Sequence, residues 1–381
     1  MNKTKIYDAI IIGAGPAGLM AAREFDNNNI NYLILEAKAK VGYPLRCGEI
    51  TREETFSELF TRENYPFIKN KISRILFRID DIQKTVNKNM FMIDKPEFLQ
   101  WLSEPIKDNL KLETKLLEIK KQRNFLEIQT NKGTLHAKLV ILANGTSYRF
   151  QKDFNLVKKN IELVPCIGGI FKNSTLNRDT AYFCYDEEMY IASWIFPKEN
   201  NNFNAGAGAV IKDRKTDRLD LQKAFKLFMQ KMGIPLEGEL SFGGNYATNG
   251  PIHRTYSDRL LVCGDSAGQT FAAIGEGIYF SLKAGQLAGQ TAIKAVKHDT
   301  FNSDLLKEYE MNWKKSFGSQ MDAGVIFATY LFFLMRNHLT RYALKAVKTK
   351  EILDTWFNGS VSVKFSILYY FLKLFYSSPR R

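Results

Sequence analysis

The chain has 381 residues, 45% hydrophobic and 25% charged, the composition of a globular protein with a sizeable core and not of a disordered or fibrous one. Its net charge of +14 marks a surface attracted to polyanions, which leaves nucleic acid, anionic lipid headgroups and phosphorylated substrates open. Four cysteines (Cys47, Cys166, Cys184, Cys263) show neither C-x-x-C nor zinc spacing, so no metal site is predicted and free thiols in a reducing cytoplasm are expected. The first apolar run, Ala9–Ile12, is rich in Ile and reads as a buried parallel strand, not as a signal peptide. Gly13-Ala14-Gly15-Pro16-Ala17-Gly18 follows and fits G-x-G-x-x-G. Such a turn needs Gly13 for the tight exit from the strand, Gly15 for close approach of a pyrophosphate, and Gly18 for helix packing on the sheet. Free N–H groups at the helix start then face the anion. Tyr32–Leu35 is the second strand, and Glu36, followed by Ala37, stands at its end where a ribose hydroxyl is expected. Strand, glycine turn, helix, strand and acid together predict a dinucleotide site.

Gly42–Glu49 (GYPLRCGE) is dense in turn formers and is placed at the carboxyl ends of the strands, where open α/β sheets bind ligands. Arg46 there can pair with a phosphate. Cys47, between Arg46 and Gly48, is either a reactive thiol or a small residue filling a gap. Ile72–Val86 reads as two short strands about an Asp80-Asp81 turn, and Asp94–Leu102 as a helix capped by Asp94 with Pro96 in its first turn. Lys111–Ile119, Phe125–Thr130, Thr134–His136 and the continuous run Leu139–Ala143 are strand-like, the last returning to the nucleotide sheet. Val164–Phe171, Thr180–Tyr185, Tyr190–Phe196 and Asn204–Val210 predict an antiparallel sheet rich in aromatics, one face of which can wall an apolar cavity. Leu219–Met232 is an amphipathic helix, and Arg259–Val262 a short strand leading into Gly264-Asp265-Ser266-Ala267-Gly268. Gly275-Glu276-Gly277 opens a long helix from Ile278 to about Val296. The last ~80 residues are helical by periodicity, with apolar runs at Val325–Met335 and Phe365–Leu372 beside Arg336, Arg341, Lys345, Lys348 and Lys350. Those runs fit either a helix lying in a membrane interface or one that is buried and lines a cavity. They are too short to span a bilayer, since no stretch holds ~20 uninterrupted apolar residues.

The N-terminal GxGxxG, the Gly264-Asp265 box and the returning Ile141-Leu142-Ala143-Asn144-Gly145 strand resemble the FAD-dependent oxidoreductases of the glutathione-reductase and p-hydroxybenzoate-hydroxylase group. Pro44–Glu49, Trp194-Ile195-Phe196-Pro197-Lys198 and Gly264–Gln269 continued by Gly275–Ile278 look like the segments of its geranylgeranyl reductase family, in the same order, over residues 1–315. The resemblance implies an α/β protein: a Rossmann-like FAD-binding domain (1–70, 95–150, 250–298), an inserted antiparallel-sheet substrate domain (71–94, 151–249), and a C-terminal helical region (299–381). It implies FAD held by Gly13, Gly15, Ala17, Gly18, Glu36, Ala37, Arg46, Cys47, Gly48, Gly264, Asp265, Gly275, Gly277 and Ile278. It also implies a tunnel walled by Trp194, Phe196 and Pro197, hydrogenation of the C=C bonds of prenyl groups, and a membrane surface but no nucleic acid as partner. Cys47 and, less strongly, Tyr190 are the expected catalytic groups near the flavin ring. Two departures matter. Ala192 stands where the family carries a Tyr, so the ring shaping the tunnel is expected to be displaced. Asn144-Gly145-Thr146-Ser147 replaces the Asp-Gly of NADPH-using hydroxylases, which leaves NADPH and a reduced ferredoxin-like carrier as alternative electron donors. Competing readings are a flavin monooxygenase or halogenase on an apolar substrate, a menaquinone side-chain reductase, and a non-catalytic prenyl-lipid carrier.

Overall fold

The computed structural model describes residues 5–60, 65–209, 220–364 and 366. Strands β1 (Ile6–Ile12) and β2 (Tyr32–Leu35), with helix α1 (Pro16–Asp26) between them, form the unit expected from the glycine turn. Among the described residues, an eight-stranded sheet grows around them in the order β16-β17-β9-β1-β2-β6. It is completed by β6 (Leu110–Lys111), β7 (Leu116–Lys121), β8 (Leu126–Thr130), β9 (Gly133–Leu142), β16 (Tyr256–Ser257) and β17 (Leu260–Val262). The central pairs are parallel: β1 with β2 and β9, and β9 with β17. Ala9, Ile10, Ile11 and the Leu139–Leu142 run are wholly buried, which explains their unbroken hydrophobicity. Residues 134–136 and 139–142 belong to one continuous strand that ends one residue before Ala143, because Leu126–Thr130 pairs along its first half. Lys111–Ile119 is broken in two: Lys111 pairs with β2, whereas Leu116 onward turns away to pair with β8.

A second sheet, nine-stranded among the described residues, lies in the order β14-β10-β13-β12-β11-β4-β5-β3, with β15 beside β10. Its strands are β3 (Ile50–Arg52), β4 (Ile68–Ile79), β5 (Ile82–Ile93), β10 (Leu163–Lys172), β11 (Thr180–Asp186), β12 (Ile191–Pro197), β13 (Asn202–Ala209), β14 (Glu237–Gly238) and β15 (Phe242–Ala247). It is antiparallel except where β11 joins β4, a parallel contact that ties the early hairpin to the later meander. That hairpin is longer than its apolar pattern predicts, because residues 68–71 and 87–93 continue the pairing past Ile72 and Val86.

The remaining helices are α2 (Glu54–Leu59), α3 (Lys95–Ser103), α4 (Arg149–Asp153), α5 (Leu221–Lys231), α6 (Ile278–Lys297), α7 (Ser303–Trp313), α8 (Ser319–Arg336), α9 (Thr340–Ala346) and α10 (Thr349–Asn358). Asp94 caps α3 as expected, accepting from the Glu97 N–H at 3.0 Å. Helix α6 packs directly on α1: a Cβ at Gly285 would stand 2.1 Å from the Ala17 carbonyl oxygen, so only glycine allows this approach. Helix α7 runs through a π-helical turn, Lys314–Gly318, into α8. Ser303–Arg336 is thereby one rod long and apolar enough to cross a membrane, yet 44% of its apolar window is buried inside the protein. The apolar pattern alone, split into two separate runs, conceals that continuity. The second run, Phe365–Leu372, lies outside the described residues apart from Ser366.

Candidate functional site

The nucleotide half begins at the glycine turn. Gly13 has φ +105°, and a Cβ on it would meet the Ala143 carbonyl oxygen at 2.4 Å. A Cβ on Gly18 would meet the Gly13 oxygen at 2.0 Å, whereas one on Gly15 would meet nothing within 4 Å. Packing therefore dictates the first and third glycines, while the second faces open space, where a pyrophosphate needs room. Helix α1 starts without a side-chain cap, so its first N–H groups are free for an anion. The Glu36 carboxylate accepts from the N–H groups of Ala14 (2.8 Å) and Lys38 (2.9 Å), and this holds it across the mouth of the turn. Ala17 is buried beneath that turn and Ala37 is exposed beside Glu36.

The second half comes from the Gly264–Ala267 turn and the start of α6. Asp265 Oδ1 accepts from the Thr270 hydroxyl at 2.9 Å, and its backbone oxygen accepts from Tyr148 at 2.7 Å. Gly275 has φ +72°, and Gly277 begins α6, again without a side-chain cap. Pro16, Arg46, Cys47, Gly48, Asp265, Gly275, Gly277 and Ile278 all face one cavity of about 1330 Å³, part of it open to solvent. FAD fits these residues: a dinucleotide cradle at one end, two uncapped helix starts, and a cavity between them. The far walls of that cavity are aromatic, with Phe183, Tyr185, Trp194, Phe196, Phe242 and Trp356.

A buried polar network joins the Arg46–Glu49 loop to the Trp194–Lys198 segment. The Glu49 carboxylate, whose side chain is 0% exposed, accepts from Lys198 Nζ (2.8 Å), Asn204 Nδ2 (3.0 Å) and the Lys95 N–H (2.9 Å). Asn204 also donates to the Cys47 carbonyl at 2.8 Å and accepts from the Trp194 indole N–H at 2.9 Å. The Arg-Cys-Gly-Glu loop is thus locked to the Trp194–Lys198 strand, with Asn204 bridging the Cys47 backbone and the Trp194 indole. The Cys47 sulfur accepts from the Glu49 N–H at 3.3 Å. Lys95 lines the same cavity. Burial pulls its ammonium down, but Cys47, Asp265 and Glu49 outweigh that and raise it above its ordinary value. A second network closes the cavity near α6. Arg52 makes a bidentate pair with Glu276 (2.7 and 2.6 Å), and Trp356 Nε1 donates to Glu276 Oε2 at 2.7 Å. Burial pushes the phenols of Tyr185 and Tyr246, both facing the cavity, above their usual range.

Two predicted residues are not at the site. Tyr190 has φ +53° in the turn between β11 and β12, and its ring packs 6.4 Å from His338, away from the cavity. The register explains the miss: Ala192 stands opposite Tyr185 on the neighbouring strand, and Tyr185 supplies the ring to the cavity. Pro197 is buried at the end of β12 opposite Phe203, with its carbonyl taking the Asn70 amide, and does not line the cavity. Sequence reasoning does not single out Glu49, Lys95, Lys198, Asn204, Tyr246 or the Arg52–Glu276–Trp356 group. Glu49 and Lys198 carry a signal, since both sit inside motif segments. Lys95 and Tyr246 carry none.

Fold and site together define an FAD-dependent oxidoreductase with an aromatic substrate cavity. The model of the pyridine nucleotide-disulphide oxidoreductase family matches residues 10–160. The protein is similar to the digeranylgeranylglycerophospholipid reductase of Methanocaldococcus jannaschii, 28% identical over 81% of its own length and 83% of that protein. The Methanococcus vannielii protein of the same name is 26% identical over 97% and 98%. A geranylgeranyl bacteriochlorophyll reductase-like protein from Thermoplasma acidophilum shares the fold, with TM-score 0.78, 18% identity and 96% of both proteins covered. The resemblance to geranylgeranyl reductases carried by the motifs is borne out.

Proposed function

We propose that this protein hydrogenates the C=C bonds of prenyl groups, those of isoprenoid ether phospholipids first among them, as an FAD-dependent reductase. The observation that carries the reading is the union of a dinucleotide cradle with a deep aromatic cavity through the Glu49 network, in a protein similar end to end to reductases of that name. Reduced FAD, when bound, supplies the hydride for one alkene carbon. The protein's task is the proton for the other carbon, together with a dry, shaped site. Cys47 is the proposed donor, fixed by its carbonyl on Asn204 and facing the cavity. Trp194 and Phe196 wall the path of the hydrocarbon and keep water from it. Residues 1–70, 95–150 and 250–298 are the proposed cofactor domain, 71–94 and 151–249 the proposed substrate domain, and the C-terminal region 299–381 closes the cavity where Trp356 of α10 lines it.

Electrons come from NADPH or a reduced ferredoxin-like carrier; an acidic carrier suits a protein of charge +14. The enzyme works in the cytoplasm, resting peripherally on membrane. Exposed Tyr342 (69%) lies in the stretch that carries exposed Arg336, Arg341, Lys345, Lys348 and Lys350, and Val363 is exposed further along (74%), the pairing of apolar and basic side chains that anionic lipid surfaces hold. The test is anaerobic incubation of dithionite-reduced holoenzyme with geranylgeranyl phospholipid, diphosphate and menaquinone. Products heavier by two hydrogens per double bond are expected. No mass change with any of the three refutes the reading.

A further inference from the structure

Trp356 occupies an unusual place between two cavities. On one side it lines the main cavity beside Phe183, with the two rings in T-shaped contact at 5.8 Å and 89°. On the other it borders a small apolar pocket walled by Phe77, Phe271, Phe327, Ile352 and Thr355, about 260 Å³ of space between atoms with open solvent included, and presenting no polar surface. Ile274 also borders both. The main cavity meets solvent at Arg46 and Asn245, which are exposed, whereas Trp356 is 4% exposed. The indole is not a loose side chain. Its N–H is tied to Glu276, Glu276 is tied to Arg52, and the Arg52 guanidinium lies 4.6 to 5.0 Å from the rings of Tyr279, Phe280 and Phe357. Phe271 stacks on its outer face at 6.5 Å. A hydrocarbon that reaches this point meets a ring pinned in place, and beyond the ring lies apolar space that it cannot enter.

We infer that Trp356 is the end wall of the substrate cavity and sets how much prenyl hydrocarbon the enzyme accepts beyond the reacting double bond. The inference rests on the prenyl-reductase reading and adds to it a length-determining residue. Shrinking the side chain vacates the volume of the indole and opens it onto this pocket, and the Phe and Ile side chains that line it then accept hydrocarbon. Each pair of methylenes newly buried is worth about tenfold in affinity.

The experiment compares wild type, Trp356→Ala, Trp356→Phe and the double variant Trp356→Ala/Ile352→Trp, all loaded with FAD and checked by the flavin spectrum. Binding of four-unit and five-unit prenyl diphosphates to the oxidised holoenzyme is titrated, and the product ladder is then read by mass spectrometry after reduction. The expected result is that Trp356→Ala shifts the preference toward the five-unit substrate by about tenfold or more, and that filling the pocket from the other side with Trp at 352 takes that gain away. Trp356→Phe keeps a ring in the wall and with it the wild-type length preference. An unchanged five-to-four-unit ratio in flavin-loaded Trp356→Ala overturns the inference, as does a gain that survives in the double variant. If Trp356→Ala does not retain FAD, Trp356→Leu takes its place under the same two criteria. Because the ratio is read by binding, it decides the matter even where no turnover is seen. Absent turnover in the wild type counts against the reductase reading alone.

Discussion

Glu49→Gln is the sharpest probe of the architecture, because one carboxylate carries the joint between the cysteine loop and the Trp194–Lys198 strand. The wild-type group accepts three donors at 2.8, 2.9 and 3.0 Å with its side chain 0% exposed. Lys198 and Asn204 share Oε2 and the Lys95 N–H takes Oε1, so glutamine keeps one oxygen but turns its amide NH₂ either toward the Lys198–Asn204 pair or toward the Lys95 N–H, donor against donor. Lys198 then remains buried, its side chain 10% exposed, with Asp94 at 3.5 Å as its one remaining charged partner among the described residues, and the Asp94 side chain is 27% exposed. Breaking a buried ion pair from one side costs about 3–5 kcal/mol. The Asp94 contact offsets part of that, so about 3 kcal/mol is expected. Glu49 also sits at φ +64°, a conformation that costs a non-glycine residue about 1 kcal/mol and that the network holds in place. The assay is urea unfolding of the FAD-loaded protein, with the slope unchanged and the midpoint lowered. A loss below about 1 kcal/mol refutes the reasoning. So does a Glu49→Leu/Lys198→Met pair that costs the sum of its single changes, since removing both charges together leaves neither stranded.

Further outcomes are expected. Gly15→Val leaves apoprotein stability near wild type, because its side chain meets open space, but weakens FAD binding by about tenfold or more in a fluorescence titration. Gly18→Ala instead destabilises the fold by about 1–3 kcal/mol in thermal unfolding, because its Cβ collides with backbone. Cys47→Ser slows substrate-dependent reoxidation of the reduced enzyme by about 10²-fold in anaerobic stopped flow, and a rate within about threefold of wild type removes Cys47 as proton donor. Burial pushes the Cys184 and Cys263 thiols up to about 12, above their value of about 8.5 in the unfolded state. The stability from keeping them protonated is complete below about pH 8.5. It is lost as pH rises toward 12, at about 1.4 kcal/mol per unit per thiol, and the Cys184→Ala/Cys263→Ala pair should flatten that alkaline decline.

The parts of this molecule that sequence reveals are those whose cause is local. The glycine turn is legible because the positive φ of Gly13 and the contact of Gly18 with the Gly13 carbonyl fall within six residues, though Gly13 also packs on the distant Ala143 carbonyl, and the run Leu139–Leu142 is legible because burial on both faces leaves no polar position. Strand β15, Phe242–Ala247, is not legible because FGGNYA has neither alternation nor an apolar run; it pairs with β10 through its backbone and carries Tyr246 into the cavity. Strand β3 is three residues long and pairs only with the end of β5. Lys95 reads as an ordinary first residue of a helix, since its surroundings are assembled from Cys47, Glu49 and Asp265. Tyr190 is the tyrosine nearest to Ala192 in sequence, but the compensating ring sits across a strand pair, at Tyr185.

The Glu49 network explains why segments so far apart in the sequence occur as a set. Glu49 and Lys198 are separated by 149 positions, and nothing in either segment alone demands the other. Folded, the acid of one neutralises the cation of the other, and their shared neighbour Asn204 reaches both Cys47 and Trp194. The dinucleotide cradle is common to flavoproteins of many chemistries, and so is the α6 start. In this protein the cavity-facing cysteine of the Arg46–Glu49 loop is fixed to an aromatic strand by buried charge. A flavin oxygenase needs room and polarity for oxygen chemistry, whereas an unactivated alkene needs contact, dryness and a proton at a set place. The joint serves the second need. On the proposed reading it turns a generic cofactor site into one wall of a hydrocarbon channel, while Trp356 of α10, latched through Glu276 to the start of α6, stands at the channel's end.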